Sequence, residues 1–210
     1  FTKQAAEHKC GVLFIRDGYV NITNSIFNST NGGDEGGVIF AFSGNASIKS
    51  SKFLSNKAAS YGAAIDNSGV MTIDECEFSK NRAYGAGAID NGGNLTITNS
   101  NFTNNKATNN GGAIDNIGNL KIMGSIFDNN TANSFGGAIM AIKNTTISHS
   151  AFANNKASAG NDIYSYAENI YLSNNWWGSN NPNFQDSLNF EIGENFKWFG
   201  MSFTNTTPFK

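Results

Sequence analysis

Three aspartates, each placed directly after an isoleucine, are the residues of this sequence best suited to chemistry. Asp66, Asp90 and Asp115 lie 24 and 25 residues apart, each within an Ile-Asp-Asn triplet. Carboxylates are the ligands that Ca²⁺ prefers, and a pair of them can hydrolyse a glycosidic bond. The regular spacing predicts an acidic row along a repeating structure.

The sequence leaves four roles open for this acidic row. It can be a solvated stripe, in which carboxylates about 4.8 Å apart repel by about 1 kcal/mol in water and neighbouring asparagines relieve the repulsion. It can bind Ca²⁺, although one straight row supplies few of the oxygens required. It can hydrolyse glycosides, or form a shallow ligand groove with small residues on the same face. These neighbours are Asn67, Asn91 and Asn116, and Ala64, Ala88 and Ala113.

Two further groups of residues could contact a ligand. A cation follows the repeated asparagine in four units, either as a solvated charge that discourages association between sheets or as a contact for an acidic glycan. Five aromatic residues near the last unit either close the interior of the fold or stack on a sugar. The cations are Lys57, Arg82, Lys106 and Lys156, and the aromatic residues are Tyr164, Tyr166, Tyr171, Trp176 and Trp177.

No pattern in the sequence indicates a metal centre, a cofactor or a nucleophile. His8 and His149 lie far apart, without the spacing of metal ligands, and no serine lies in a Gly-x-Ser-x-Gly elbow. We therefore expect no catalytic residue, no metal and no cofactor. The candidate ligand-binding residues are Asp66, Asp90, Asp115, Tyr164 and Trp176.

A repeat of 24–26 residues sets the phase of all these candidates. Each unit contains two aliphatic positions and one aromatic position. From the second unit on, an asparagine lies three residues after the aromatic residue, and two residues before each phenylalanine of the ladder lies Ser25, Ser51, Cys76, Ser100, Ser125 or Ser150. The first aliphatic ladder is Leu13, Ile39, Ile65, Ile89, Ile114, Ile139 and Ile163, and the second is Ile22, Ile48, Ile73, Ile97, Ile122, Ile147 and Leu172. The aromatic ladder is Phe27, Phe53, Phe78, Phe102, Phe127, Phe152 and Trp177, and the asparagine ladder is Asn56, Asn81, Asn105, Asn130, Asn155 and Asn180.

This repeat predicts a fold made only of short strands. Apolar residues alternate with period two, as in residues 95–98, which is typical of a strand. About 25 residues holding three strands leave no room for a helix, so each strand must pair in parallel with its counterpart one repeat later. Because crossovers are right-handed, we predict an all-β fold, a pectate-lyase-like right-handed parallel β-helix of about seven coils.

The repeat also predicts where this solenoid begins and ends. We expect an N-terminal flank or cap over residues 1–10, the β-helix over 11–182, and a C-terminal cap and lead-out to a following module over 183–210. The stretch after residue 182 is apolar but lacks the repeat, so we expect residues 183–204 to fold back over the last coil, with Trp177 closing the interior. Cys76 is expected to be a buried free thiol, because Cys10 lies more than two coils away.

Composition excludes several classes of partner. The net charge is −2 and only 14% of residues are charged, so we expect no nucleic-acid partner. No apolar run approaches the roughly 20 residues of a membrane helix, so we expect no membrane insertion. Since residue 1 is Phe and no signal peptide is present, we expect the sequence to be part of a longer chain.

Two motifs resemble those of known surface proteins. Gly-Gly-Ala-Ile, at residues 111–114 and 136–139, together with Phe-x-x-Asn, at Phe102 and Asn105, resembles the repeat of chlamydial polymorphic membrane proteins. The segment Asn-Asn-Trp-Trp-Gly-Ser-Asn-Asn-Pro, at residues 174–182, is similar to archaeal adhesin-like proteins of methanogens, in which such a motif ends a β-helix. The resemblance covers roughly residues 11–205, implies a secreted or cell-surface protein involved in adhesion, and carries over no catalytic residue.

We therefore expect a non-catalytic, monomeric, extracellular module that presents flat faces to a glycan or protein on a partner cell. The alternative is a carbohydrate-active β-helix enzyme, a polysaccharide lyase or polygalacturonase-like hydrolase, that uses Asp66, Asp90 and Asp115. Such enzymes usually carry long insertions that build a cleft, whereas this repeat varies by only two residues. A third alternative is a structural stalk without a ligand.

Overall fold

The computed structural model describes residues 1–4, 10–167, 169–179 and 182–190. Within these ranges the chain forms a parallel β-helix, as the repeat predicts. Every strand pairs in parallel with a strand of the next coil, and paired residues are 24, 25 or 26 positions apart, as Ile65 is from Ile89, Ile89 from Ile114 and Ile39 from Ile65. Side chains at one phase of the repeat therefore stack in rows along the axis.

The strands form four sheets, numbered here by their order within a coil. The first contains Leu13–Ile15, Ile39–Ala41, Ile65–Asn67, Ile89–Asn91, Ile114–Asn116, Ile139–Ala141, Ile163–Ser165 and Leu188–Phe190. The second contains Tyr19–Thr23, Asn45–Lys49, Val70–Asp74, Asn94–Thr98, Asn119–Met123, Thr145–Ser148 and Ile170–Ser173. The third contains Ile26–Asn28, Lys52–Leu54, Glu77–Ser79, Asn101–Thr103, Ile126–Asp128, Ala151–Ala153 and Trp176–Trp177. The fourth contains Arg82–Ala83, Lys106–Ala107 and Thr131–Ala132, and a short helix, Phe184–Ser187, precedes the last strand of the first sheet.

The predicted apolar ladders fill the interior. The isoleucines of the first and second sheets are buried, and the phenylalanine rings of the third sheet stack face to face. Ring centroids are 4.8 Å apart from Phe53 to Phe78 and 4.7 Å apart from Phe78 to Phe102, and Trp177 continues the stack 4.9 Å beyond Phe152. This spacing is that of neighbouring strands, so one row of rings follows directly from the pairing.

The asparagine ladder forms a fully paired corner between the third and fourth sheets. The Nδ2 group of Asn105 donates to Oδ1 of Asn130 (3.0 Å) and to the carbonyl of Phe78 (2.9 Å). Its Oδ1 atom accepts from both the Nδ2 group and the backbone N–H of Asn81, each at 3.0 Å. The serine ladder acts similarly: the hydroxyl of Ser100 accepts the N–H of Cys76 (3.0 Å). Cys76 is buried and free, as predicted.

Both corners also require left-handed backbone, a region that asparagine and glycine tolerate better than other residues, and six asparagines meet this requirement. At the serine corner the residues with positive φ precede the ladder serines, Cys76 and Asn175; they are Asn24, Ser50, Glu75, Asn99, Gly124, His149 and Asn174. At the asparagine corner they precede Thr30 and the ladder asparagines from Asn56 to Asn155; they are Ser29, Ser55, Lys80, Asn104, Asn129 and Asn154. Asn180 of the predicted ladder lies outside the described residues.

At both ends, described residues contact the β-helix from beyond its predicted limits at residues 11 and 182. Residues 1–4 lie against the first coil, where the Phe1 ring stacks on Phe27 at 5.3 Å. At the other end, Leu188–Phe190 pairs in parallel with Ile163–Ser165, so the first sheet continues past the expected limit at residue 182. Phe184 packs edge-on against Trp177, 6.2 Å away. Residues 191–210 of the predicted cap lie outside the described residues, so the cap stays a prediction.

No helix in the described ranges has the length and apolar character needed to cross a membrane.

The asparagine corner should contribute measurably to stability. Replacing Asn105 with alanine leaves the buried backbone N–H of Asn81 without its acceptor and removes a donor to Oδ1 of Asn130, which typically costs about 1–3 kcal/mol. We expect Asn105→Ala to lower the free energy of unfolding in urea by that amount. Asn101→Ala, an exposed asparagine on the same coil, is the control and should change it little. Equal effects of the two variants would contradict a role for the ladder.

Candidate functional site

The three predicted aspartates form one row on the outer side of the first sheet. Asp66, Asp90 and Asp115 are direct partners in the parallel register. Apolar side chains occupy the same row on the adjacent coils: Phe40 pairs with Asp66, and Met140 with Asp115. The acidic row, defined as these three aspartates, is therefore enclosed at both ends by apolar residues.

The acidic row is covered rather than solvated, so the predicted solvated stripe is wrong. Only 8% of Asp66 is exposed, and Asp90 and Asp115 are also largely withdrawn from solvent. The loop before each strand lies directly against the sheet: a Cβ atom on Gly62 would be 2.5 Å from the backbone nitrogen of Asp90, and one on Gly111 would be 2.6 Å from that of Asp115. Glycine is required at these positions because the two backbones touch.

The predicted Ala/Asp ligand groove is not open either. The alanines that precede the ladder isoleucines are fully buried and belong to the core. The alternation of a regular strand would turn them outward, but they precede the strands and pack with the ladder residues of the core. These residues are Ala64, Ala88 and Ala113.

Burial raises the pKa of every carboxyl group in the acidic row. The pKa of Asp66 rises to about 7 through burial and the nearby Glu35 carboxyl group. That of Asp90 rises to about 8 through burial and the charges of Asp115 and Asp66 on either side. Burial raises the pKa of Asp115 to about 6. The central Asp90 therefore carries a proton at neutral pH.

The asparagines that follow the acidic row do not relieve its repulsion, contrary to the prediction. They turn inward and form a second buried ladder, in which the Nδ2 group of Asn67 donates to Oδ1 of Asn91 (2.8 Å) and that of Asn91 to Oδ1 of Asn116 (2.6 Å). The ladder ends at the hydroxyl of Thr145, 3.2 Å from Nδ2 of Asn116. Meanwhile Oδ1 of Asp115 is buried without a hydrogen-bond partner among the described residues.

The arrangement of the acidic row does not suit a metal ion. Its carboxyl groups follow one another along a single line, one per coil, whereas Ca²⁺ needs six to eight oxygens around it. In the part of the chain that the structure describes, no three His, Cys, Asp or Glu residues are placed to hold a metal ion.

The aromatic residues near the last coil do not form one cluster. Tyr164 is 2% exposed beneath Phe135, whose ring lies 4.4 Å away, so it is too buried to stack on a sugar. Trp177 lies inside, against Phe152, as expected for a residue that closes the interior. Trp176 points outward from the third sheet and is half-buried. The five residues are distributed over three sheets and their connecting turns; Tyr166 and Tyr171 are exposed.

The predicted cations lie in one exposed row on the fourth sheet. Lys57 forms a parallel backbone β-bridge with Arg82, and Arg82 pairs in register with Lys106, so the three residues lie on successive coils. Thr131 occupies the next coil, and Lys156 follows it. Lys57, Arg82 and Lys106 lie along the side of the stack, so they do not protect the strand edges at its ends.

Comparison with known proteins identifies the class of fold. Residues 36–187 match the family described as right handed beta helix region. The chain therefore belongs to this family, and the predicted right-handed parallel β-helix is confirmed. Searches of curated proteins and of solved structures gave no significant match.

Sequence reasoning missed the covering of the acidic row, although a signal for it existed. The position after the ladder isoleucine or leucine is apolar in the other repeats, and a repeated apolar residue at one phase indicates a covered position. Those residues are Phe14, Phe40, Met140 and Tyr164. The loop residue Glu35, which approaches Asp66, carries no repeat pattern and could not be assigned from the sequence.

The raised pKa values predict a defined pH dependence of stability. The ordinary aspartate pKa is 3.8 and that of folded Asp90 is about 8, so between these values the folded protein retains a proton that the unfolded chain releases. Stability should therefore fall as pH rises from about 4 to about 8. Asp90→Asn keeps the shape and removes the part of this loss that Asp90 causes, while Asp66 and Asp115 still titrate. One pKa unit corresponds to about 1.36 kcal/mol and about 1 kcal/mol to roughly 2–4 °C, so each unit is worth roughly 3–5 °C and the variant should melt at least roughly 3 °C above the wild type at pH 8.

The control for this titration is Asp34→Asn, which neutralises an exposed carboxylate. It should leave the pH profile of the melting temperature unchanged. Parallel profiles for wild type and Asp90→Asn would contradict a buried, protonated acidic row.

Proposed function

We propose that this protein is a non-catalytic, extracellular binding module, similar in role to an adhesin, that presents its outer faces to a glycan or protein on a partner cell. The observation that carries the proposal is the uninterrupted second sheet. Its strands are the longest in the fold, and their outward side chains are exposed or half-buried hydroxyls, amides and a few large groups in register. The central outward row is Asn21, Ser47, Thr72, Thr96, Lys121, Thr146 and Tyr171.

The regular coil length supports binding over catalysis. Successive coils differ by no more than two residues, as the separations of 24, 25 and 26 between paired side chains illustrate. A polysaccharide-cleaving site needs a cleft in which two carboxyl groups flank the scissile bond. Here the carboxyl groups lie under loops, and no loop in the described part of the chain is longer than the repeat allows.

The acidic row is the feature that favours the alternative of a carbohydrate-active enzyme. Strongly raised carboxyl pKa values are common at catalytic sites, and Asp90, at about 8, could act as a general acid. Burial gives a simpler explanation of the same shifts, since it is the largest cause for all three residues. We therefore assign the acidic row a structural role.

A paired assay tests this proposal. The purified protein should bind a subset of a glycan array or the surface of partner cells, and should release no reducing or unsaturated ends from plant, bacterial and animal polysaccharides. A variant with Thr72 and Thr96 replaced by arginine should lose binding to any ligand of the second sheet while its melting temperature stays within about 2 °C.

The enzyme alternative makes the opposite prediction in the same assay. Polysaccharide cleavage that Asp90→Asn abolishes and Asp34→Asn retains would overturn the proposed function and place the active site at the acidic row.

A further inference from the structure

Three cations stack in register along the fourth sheet and form no ion pair with any residue that the structure describes. Lys57, Arg82 and Lys106 occupy equivalent positions on successive coils, at about 4.8 Å per coil. All three side chains are exposed. Like charges directly opposite each other on neighbouring strands destabilise a sheet, so this cation row carries a cost in the free protein.

On the second and third sheets, two pairs of in-register residues on neighbouring coils carry opposite charges. Lys49 pairs in register with Asp74 on the second sheet, with Nζ 2.9 Å from Oδ2. Lys52 pairs with Glu77 on the third sheet, also at 2.9 Å. The cation row has no such partner among the residues that the structure describes. An anionic ligand would supply the missing charge.

The cation row borders a shallow groove whose lining suits a sugar chain. Lys57 and Arg82 line the groove together with Tyr84, which is 58% exposed. The polar side chains of Asn31 and Thr108 also line it. Gly32 and Ala59 are small residues of its lining, and none of the described residues that line the groove is acidic.

We propose that this groove binds an extended acidic polysaccharide, one that carries carboxylate or sulfate groups along its chain; the proposal rests on the non-catalytic binding role proposed above and adds a binding face on the fourth sheet to the one on the second sheet. The guanidinium group of Arg82 can hold a carboxylate or sulfate through two parallel hydrogen bonds. The ring of Tyr84 offers a surface for the apolar side of a sugar, while Asn31 and Thr108 can pair with its hydroxyls. The cations are spaced by one coil, about 4.8 Å. This spacing is close to the length of one residue in an extended sugar chain.

A polysaccharide fits these observations better than a nucleic acid. The net charge of the chain is −2, and the neighbouring third sheet carries Glu77 and Asp128, which would repel a broad polyanion. A single narrow row suits a single extended chain.

The test is a binding titration with defined probes. Wild-type protein is titrated with heparin, polygalacturonate, neutral dextran and single-stranded DNA at 50 and 300 mM NaCl. Heparin or polygalacturonate should bind and dextran should not, and binding should weaken at the higher salt concentration. The comparison of the two acidic probes distinguishes sulfate from carboxylate recognition.

Two charge-matched variants locate the site. Lys57→Gln/Arg82→Gln should weaken binding at least tenfold, whereas Arg16→Gln/Lys143→Gln, which removes the same charge from exposed positions outside both proposed binding faces, should change it less than twofold. Tyr84→Ala, which alters no charge, should weaken binding at least threefold. Melting temperatures of all variants should match the wild type.

Three results would overturn the inference. They are equal losses in the two charge-matched variants, tighter binding of single-stranded DNA than of either acidic polysaccharide, and absence of binding to both acidic probes at 50 mM NaCl. If the protein then still binds a neutral glycan or a cell-surface protein without cleaving polysaccharides, only this inference fails. Cleavage of any probe would instead contradict the proposed non-catalytic function.

Discussion

The rest of the structure depends on one constraint, which is that every residue of a coil pairs with its equivalent one coil later at about 4.8 Å. A side chain at a given phase must therefore tolerate a neighbour of its own kind. Phenylalanine rings stack face to face, and asparagine amides donate to and accept from the next amide. The repeat thus selects residues that are compatible with themselves, which explains its phenylalanine, isoleucine and asparagine ladders.

Charged residues are the ones that this constraint disfavours, and the protein treats the two signs differently. The acidic row lies under loops, where burial and mutual repulsion raise the pKa of Asp90 to about 8 and the proton removes the repulsion. Lysine and arginine retain their charge, so the cation row has to remain in solvent, where an external anion can compensate it. The proposed division between a structural acidic face and a binding basic face follows from this difference.

The fold could be predicted because its determinants recur at one period. The ladders from Ile39 to Ile163 and from Phe53 to Phe152 fixed the register, the parallel pairing and the free, buried Cys76. The environment of the acidic row could be predicted only in part. Glycine recurs three residues before most ladder isoleucines, which is a signal for a loop lying against the strand, whereas Glu35, which approaches Asp66, lies at a position without a repeat pattern. The inward turn of Asn67 follows from alternation, because Ile65 points inward and Asp66 outward, so it could have been predicted. The burial of Ala64 was missed because alternation does not extend to a residue that precedes the strand.

The protonation of the acidic row is the most direct test of this account, because a covered row is structural and an open row is available for catalysis or metal binding. Titration of the aspartate carboxyl carbons by ¹³C NMR, assigned with Asp90→Asn, measures it in the intact protein. We predict that Asp90 titrates near pH 8, with Asp66 near 7 and Asp115 near 6. Titration of all three carboxyl groups near the ordinary value of 3.8 would contradict the account.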